Sequence, residues 1–191
     1  MRILILGPQG SGKGTQAKRI SAAHGIPHVS TGDMFRAAVT VGTELGRRVE
    51  PILASGDLVP DDLTVALIRE RLSEQDARDG FVLDGFPRNL AQAEALDRML
   101  AEIGRGLDAV ILLQVSDDVA TERLRERAAK EGRADDSPEA IANRLRQYHE
   151  LTELVVDRYQ QAGIEVIVDG EQTMDVVFAA IQDALEGVTA R

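Results

Sequence analysis

The most informative part of the sequence is Gly7-Pro8-Gln9-Gly10-Ser11-Gly12-Lys13-Gly14-Thr15, which directly follows an apolar run at residues 3–6. A stretch with helical spacing, residues 16–23, comes next, so the segment connects a buried strand to a helix. Its glycines let backbone N–H groups point inward, where a phosphate accepts them at the positive end of the helix. Lys13 adds a mobile positive charge. The pattern predicts a phosphate-binding loop, with a plain glycine-rich turn and a solvated lysine as the alternative.

Short apolar runs alternate with stretches of helical spacing along the rest of the chain. The runs lie at residues 81–83, 109–113 and 164–168, and helical spacing is clearest at residues 90–103 and 176–185. Strands that alternate with helices form βαβ units. The sequence therefore predicts an α/β fold in which a parallel sheet has helices on both faces.

Two stretches fit this pattern poorly. Residues 30–60 are helical but contain no good strand, and residues 128–137 are short and polar. Both are expected to be excursions from the sheet, where binding and closure are often placed. Asn89 and the pair Ser137-Pro138 are positioned to begin helices that follow a loop.

The charge balance limits the partners of the protein. The chain has 191 residues, which suits one domain, and carries 22 basic and 32 acidic side chains for a formal net charge of −10. Such an acidic protein is repelled by nucleic-acid backbones and by anionic lipids, so we expect no nucleic-acid partner and no membrane partner. A phosphorylated ligand must therefore meet a local cluster of positive charge.

Cysteine content and the first residues bear on metal sites and location. The absence of cysteine excludes disulfides and thiolate metal sites. The apolar run at residues 3–6 is too short for a signal sequence or a membrane span. We therefore expect a cytoplasmic protein.

Three further motifs lie behind the phosphate loop, in the order Ser30-Thr31-Gly32-Asp33-Met34-Phe35-Arg36, Leu83-Asp84-Gly85-Phe86-Pro87-Arg88 and Gln92. Together with the loop, these motifs resemble the adenylate kinase family in order and spacing over nearly the whole chain. The resemblance implies a P-loop NTPase fold with a five-stranded parallel sheet and helices on both faces. It also implies reversible phosphoryl transfer from Mg²⁺-ATP to AMP, which gives two ADP.

The resemblance divides the chain into a core and two flaps. The core covers residues 1–29, 60–125 and 137–191, the nucleoside monophosphate (NMP)-binding domain covers residues 30–59, and a short lid covers residues 126–136. The lid lacks the insertion that carries a cysteine zinc site in other members, so no structural zinc is expected. The Phe86-Pro87 bond is expected to be cis, as in the family.

The resemblance also assigns roles to residues around both nucleotides. ATP is expected to meet Gly10, Ser11, Gly12, Lys13, Gly14, Thr15, Arg127 and the backbone near Gln172. AMP is expected to contact Thr31, Arg36, Asp57, Leu58, Val59, Gly85, Phe86, Pro87, Arg88, Gln92, Arg133 and Arg144. In that set, Arg88 meets the α-phosphate and Gln92 meets the adenine edge. The implied catalytic residues are Lys13, Arg88, Arg123, Arg133 and Arg144.

Arginine and aspartate suit this chemistry on physical grounds as well. Phosphoryl transfer spreads negative charge over the equatorial oxygens, and arginine offers them forked, permanently charged donors. Arg123 and Arg127 share one helix face, although any single arginine could instead be a surface residue paired with a neighbour such as Glu126. Asp84 ends a buried strand, where an acid helps to hold the water shell of Mg²⁺. A structural carboxylate that caps the next loop is the alternative for Asp84.

Two other functions remain open. One is a UMP or CMP kinase of the same fold, but Thr31 favours AMP because pyrimidine-specific relatives tend to have Ala at this place. The other is a non-catalytic nucleotide-binding regulator, which would not need the full set of arginines. A GTPase switch is disfavoured because no Asn-Lys-x-Asp motif occurs in the chain. The family pattern favours a monomer whose partners are ATP, AMP and ADP.

Overall fold

The structure is a computed structural model that describes residues 1–131 and 136–189, so Arg133 lies outside the described residues. The strands are β1 (Arg2–Leu6), β2 (His28–Ser30), β3 (Phe81–Asp84), β4 (Ala109–Gln114) and β5 (Glu165–Asp169). The helices are α1 (Lys13–His24), α2 (Thr31–Val41), α3 (Glu44–Ser55), α4 (Asp61–Ser73), α5 (Leu90–Glu102), α6 (Asp117–Glu131), α7 (Pro138–Gln147), α8 (Glu153–Gln161) and α9 (Met174–Thr189). A π-helical turn, Tyr148–Thr152, joins α7 to α8. Within those two ranges, none of the helices has the length and apolar character that a membrane crossing requires.

The strands form one five-stranded sheet in the order β2-β3-β1-β4-β5, and every neighbouring pair is parallel. Strand β1 lies at the centre, where Leu4 is level with Leu83 of β3 and with Val110 of β4. A central parallel strand needs apolar side chains on both faces, and residues 3–6 are all buried. The predicted five-stranded P-loop fold is therefore confirmed, and the glycine-rich segment starts at the middle of the sheet.

Helices cover both faces of the sheet, as predicted. Successive side chains of a strand point to opposite faces, so β1 contributes to two apolar layers. Ile3 and Ile5 pack with Ile20 of α1 and Ile181 of α9 on one face. On the other face, Leu4 packs in a cluster that includes residues from α4, α5 and α8.

Two smaller apolar clusters lie outside these layers. Phe35 of α2 and Val49 of α3 form one cluster with Val59, and partly buried residues of α4 pack against it. In the other, Leu124 of α6 packs with Ile141 of α7. Residues 30–60 therefore bury apolar side chains of their own, as a helical excursion from the sheet requires.

Helix α7 lies against the end of α3. Asn143 of α7 donates a hydrogen bond to the carbonyl oxygen of Ser55 at 3.0 Å. A Cβ at Gly56 would lie only 2.6 Å from the carbonyl oxygen of Ala140, so the backbones themselves are in contact. This contact joins residues 30–60 to α7.

Two predicted helix starts and the predicted cis bond are present. The side chain of Asn89 accepts the backbone N–H of Gln92 at 2.9 Å, which caps α5. The side chain of Ser137 accepts the backbone N–H of Ala140 at 3.2 Å, which caps α7. The Phe86-Pro87 bond between β3 and α5 is cis.

Replacement of Leu96 by Ala tests the layer that α5 forms on the sheet. Leu96 is fully buried, so Leu96→Ala should lower the free energy of unfolding by about 2–5 kcal/mol, through lost burial and the cavity left behind. Leu90→Ala on the same helix is the matched control, because Leu90 is 40% exposed, and it should cost less than about 0.5 kcal/mol. Chemical denaturation followed by circular dichroism measures both values. Equal losses in the two variants would contradict this packing.

Candidate active site

The phosphate loop lies close to the backbone of β4 and α6. Gly7 and Gly10 have positive φ angles of 140° and 85°. A Cβ would lie 2.5 Å from the carbonyl oxygen of Leu113 at Gly7 and 2.4 Å from that of Ala120 at Gly10. Both positions therefore need glycine, for the backbone conformation and for space. The loop sits at the carboxyl ends of the strands, where open parallel sheets bind their ligands.

Lys13, the first residue of α1, folds back over this loop. Its Nζ donates to the carbonyl oxygens of Gly7 and Pro8, both at 2.7 Å. Burial lowers the pKa of Lys13 to about 8, while nearby Asp84 opposes the shift and Arg88 adds to it. Most of the Lys13 side chains are therefore still charged at pH 7 and available to an anion in the loop.

Asp84, at the end of β3, places a carboxylate beside the loop. It lies 3.4 Å from Nε2 of His28, and a Cβ at Gly14 would lie 3.5 Å from its Oδ2. Burial pushes the pKa of Asp84 upward, but the hydrogen bond from His28 and the charge of Lys13 together hold it below its ordinary value. The carboxyl group is therefore ionised at neutral pH.

One large cleft contains the phosphate loop, Asp84 and Gln172, and has a cavity volume of about 660 Å³. All the loop residues that were predicted to bind ATP line it, from Gly10 to Thr15. Its lining also includes five arginines, Arg36, Arg88, Arg123, Arg127 and Arg144. In a chain with a net charge of −10, this concentration of fixed positive charge creates a local site for an anion.

Arg88 is held by the loop that connects β3 to α5. Its Nε donates to the carbonyl oxygen of Gly85 at 2.8 Å, and its backbone N–H donates to the side chain of Gln92 at 2.8 Å. Burial, and next the charge of Arg144, lower the pKa of Arg88 to about 10. Because these like charges are held close together, an anion that binds between them relieves their repulsion.

Arg127 of α6 and Arg144 of α7 share one buried carboxylate, that of Asp136. Arg127 donates to it from Nε at 2.8 Å and from Nη2 at 2.7 Å, and Nη1 of Arg144 donates at 3.1 Å. The side chain of Asp136 has 0% exposure, so its charge is compensated by both arginines. Asp136 was not among the predicted site residues; the one local signal was its position directly before the predicted helix start at Ser137.

Arg123 lies one helical turn before Arg127 and reaches the loop after β5. Its Nη1 donates to the carbonyl oxygen of Gly170 at 2.8 Å. Gln172, in the same loop, donates to Asp169 at 2.8 Å. The structure therefore brings Arg123 and Gln172, which are far apart in the sequence, to the cleft that holds the phosphate loop.

A smaller lobe adjoins the cleft, and Gly85 and Arg88 line both. The lobe is lined by Thr31, Gly32, Phe35, Leu53, Asp57, Leu58, Val59, Thr64, Gly85, Arg88 and Gln92. Thr31 donates to the carbonyl oxygen of Gly85 at 2.9 Å, which joins α2 to the loop after β3. Of the remaining described residues predicted to contact AMP, Pro87, Arg36 and Arg144 line the cleft, whereas Phe86 is fully buried in the core.

Helix α7 also holds the loop that follows α3, at the edge of this lobe. Asn143 donates to Oδ1 of Asp57 at 2.7 Å, and Gln147 donates to the same oxygen at 3.1 Å. The hydroxyl of Ser55 donates to Oδ2 at 2.7 Å; this bond, followed by the one from Asn143, lowers the pKa of Asp57. Asn143 and Gln147 were not predicted to belong to the site, because nothing local in the sequence connects them to residues 55–57.

Comparison with known proteins gives one consistent result. A family model described as adenylate kinase matches residues 5–164. A protein from Parvibaculum lavamentivorans is 50% identical over 194 residues, which cover 100% of this chain and 94% of the relative. Proteins from Stenotrophomonas maltophilia (strain R551-3) and Xanthomonas euvesicatoria pv. vesicatoria are each 47% identical, over 98% and 97% of this chain and 100% and 99% of the relatives. All three relatives are named adenylate kinase.

The pKa of Lys13 predicts how ATP binding depends on pH. The charged form is the one that attracts phosphate, so affinity should fall as the pH rises through about 8. From the fraction of charged lysine, binding at pH 9 should be about tenfold weaker than at pH 7. Calorimetric titration of the wild type and of Lys13→Met measures this. The variant lacks the amine of Lys13, so its weaker binding should change much less with pH; equal slopes in both proteins would contradict the assignment.

Asp136→Asn removes the negative charge that Arg127 and Arg144 share. Because Arg127 is 30% exposed, we expect a loss of about 1–3 kcal/mol in the free energy of unfolding, less than a fully buried pair would give. Asp118→Asn, at an exposed position of α6, makes the same charge change and should stay within about 0.5 kcal/mol of the wild type. Denaturant titration measures both variants. A wild-type value for Asp136→Asn would show that the carboxylate does not hold the arginines.

Proposed function

The chain belongs to the adenylate kinase family, and we propose that it transfers the γ-phosphoryl group reversibly from Mg²⁺-ATP to AMP, with two ADP as products. The observation that carries this proposal is a cleft in which a phosphate loop and five arginines lie next to a second, smaller lobe. A phosphoryl transferase needs a place for a donor, a place for an acceptor and positive charge between them. A regulator that only binds a nucleotide needs the first of these alone.

We assign the donor nucleotide to the phosphate loop. Backbone N–H groups of the loop would surround the β- and γ-phosphates at the N-terminus of α1. Lys13 would exchange its bonds to the carbonyl oxygens of Gly7 and Pro8 for bonds to phosphate oxygens. The proposed ATP-binding residues are Gly10, Ser11, Gly12, Lys13, Gly14, Thr15, Arg127 and, beside the adenine, Gln172.

We assign AMP to the smaller lobe. Leu58 and Val59 offer it an apolar wall, Gln92 offers a buried amide, and Arg88 lies where the lobe opens into the cleft. The lobe has a cavity volume of about 30 Å³, which is room for about two to three water molecules and less than a purine base needs. We therefore infer that residues 30–59, the proposed NMP-binding domain, move away from the core to admit AMP and then close on it.

The cleft suits Mg²⁺ that is bound together with the nucleotide. Mg²⁺ prefers oxygen ligands and is usually held by one or two carboxylates plus substrate phosphates. Asp84 offers an ionised carboxylate beside the phosphate loop. In the described parts of the chain, no group of three or more His, Asp or Glu side chains could hold a metal without the nucleotide. Mg²⁺ would neutralise charge on the β- and γ-phosphates, and Asp84 would hold it through its water shell.

The arginines supply charge where the phosphoryl group passes. Arg88 lines both the cleft and the lobe, so it can contact the AMP phosphate and the transferring group. Direct in-line transfer between two bound nucleotides needs positioning and positive charge rather than a covalent nucleophile. The proposed catalytic residues are Lys13, Arg88, Arg123, Arg144 and, outside the described residues, Arg133.

Closure of the two flaps would exclude water, which otherwise accepts the phosphoryl group. The proposed lid at residues 126–136 begins beside Arg127 and ends at Asp136, the carboxylate that also binds Arg144. Movement of the lid would therefore move Arg127 relative to α7. The family pattern favours a monomer, and we propose a monomer as the working form.

Turnover with several acceptors tests the proposed function. The purified protein is mixed with Mg²⁺-ATP and with AMP, CMP, UMP or GMP, and ADP is followed by chromatography. AMP should support rapid ADP formation. Arg88→Ala should lower kcat with AMP by about 10²–10³-fold, because it removes a donor to the transition-state charge.

Arg98→Ala is the matched control for that experiment. Arg98 lies on α5 with 67% of its side chain exposed, so its loss should leave kcat unchanged. Rapid turnover with CMP or UMP instead of AMP would show that the acceptor is a pyrimidine nucleotide. Tight ATP binding without transfer to any acceptor would contradict the proposed enzymatic function and would support a nucleotide-binding regulator instead.

A further inference from the structure

The carboxamide of Gln92 is held in one orientation by two groups of opposite hydrogen-bonding character. Its Oε1 accepts the backbone N–H of Arg88 at 2.8 Å, and its Nε2 donates to Oδ1 of Asp61 at 2.6 Å. A backbone N–H can only donate and a carboxylate can only accept. A flipped carboxamide would place its NH₂ group against the N–H and its oxygen against the carboxylate, so both contacts would become repulsive.

Asp61 is itself fixed by Asn89. Nδ2 of Asn89 donates to both oxygens of Asp61, at 3.0 Å and 3.2 Å, while its Oδ1 accepts the backbone N–H of Gln92 at 2.9 Å. Asp61 begins α4 and Asn89 caps α5, so the network joins the starts of two helices. Gln92 is only 2% exposed, which makes an unpaired amide group there costly. The orientation of Gln92 is therefore determined before a ligand arrives.

The fixed carboxamide still has hydrogen-bonding capacity for a base. A carboxamide has two N–H donors and two acceptor lone pairs, and the bonds to Arg88 and Asp61 use one of each. One donor and one acceptor therefore remain on a side chain that lines the lobe assigned to AMP. A 6-aminopurine presents an amino donor and the acceptor N1 at its edge, whereas a 6-oxopurine presents a carbonyl acceptor and N1–H.

We propose that Asp61 is a positioning residue that selects 6-aminopurine over 6-oxopurine nucleotides by fixing the orientation of Gln92. The inference rests on the proposed function, because it places the acceptor base beside Gln92. Arg88 binds the phosphate of the acceptor nucleotide, so the base of that nucleotide presents one edge to the carboxamide of Gln92. In that position the two kinds of purine need opposite orientations of the carboxamide, and a 6-oxopurine could bind only if Gln92 flipped against Asp61 and the N–H of Arg88.

Asp62 offers a control that distinguishes the proposed role of Asp61 from a general effect of charge on α4. Both acidic residues lie in the first turn of the helix, where the helix dipole favours negative charge. Asp62 is exposed, whereas Asp61 bonds to Gln92. Asp62→Asn therefore makes the same charge change at the same helix end without touching the carboxamide.

Specificity constants for AMP and IMP test the proposal in the wild type and in Asp61→Asn, Asp61→Ala and Asp62→Asn. IMP differs from AMP in the groups at position 6 and N1, so contacts to ribose and phosphate are shared. We expect both Asp61 variants to lower the AMP-to-IMP ratio of kcat/KM by about tenfold, with KM for ATP unchanged. Asp62→Asn should keep the wild-type ratio.

An unchanged ratio in both Asp61 variants would overturn the proposal, and so would an equal loss of activity with AMP and with IMP. Asp61→Asn preserves the side-chain volume, and thermal melting shows whether each variant is folded. If the wild type transfers nothing to AMP, the proposed function fails by itself. In that case, calorimetric titration of AMP and IMP into the same proteins still tests whether Asp61 fixes the orientation of Gln92. A smaller preference for AMP over IMP in the Asp61 variants would support the proposal, and an unchanged ratio of the two dissociation constants would overturn it.

Discussion

The close approach of the phosphate loop to two carbonyl oxygens is the constraint on which the rest of the site depends. Gly7 lies against Leu113 of β4 and Gly10 against Ala120 of α6, with no room for a side chain at either place. The loop is thereby fixed to the helix that carries Arg123. The distance between the backbone of the loop and Arg123 is therefore set by close packing of backbone atoms, which leaves little freedom to vary.

Helix α7 extends this arrangement to the other half of the cleft. Arg144 shares Asp136 with Arg127 of α6 and also donates to the carbonyl oxygen of Leu53 in α3 at 3.4 Å. Asn143 on the same helix binds Ser55 and Asp57, at the end of α3 and just after it. One short helix thus contacts the arginine side of the cleft and the loop beside the smaller lobe. Because the same helix contacts both sides, we expect a movement of the proposed lid to be coupled to a movement of residues 30–59.

Local sequence patterns predicted most of the fold, whereas they could not predict contacts between residues that are far apart in the sequence. Strand β1, the glycine-rich loop and the cap at Asn89 were predicted because each depends on neighbours in the sequence. Strand β2 has only three residues, too few to form an apolar run, and its existence followed from the family resemblance. Asp136 and Asp61 looked like ordinary acidic residues; their roles depend on partners that folding brings close. The placement of Phe86 in the core was likewise not visible from its position in a binding motif.

Binding of a bisubstrate compound, in which two adenosines are joined through a polyphosphate chain, tests most directly whether one cleft holds donor and acceptor together. We expect one molecule to bind per chain and to compete with both ATP and AMP. We also expect Arg88→Ala to weaken its binding, since Arg88 lines both the cleft and the lobe. Competition with ATP alone, with AMP binding unaffected, would place the acceptor elsewhere and contradict direct transfer in this cleft.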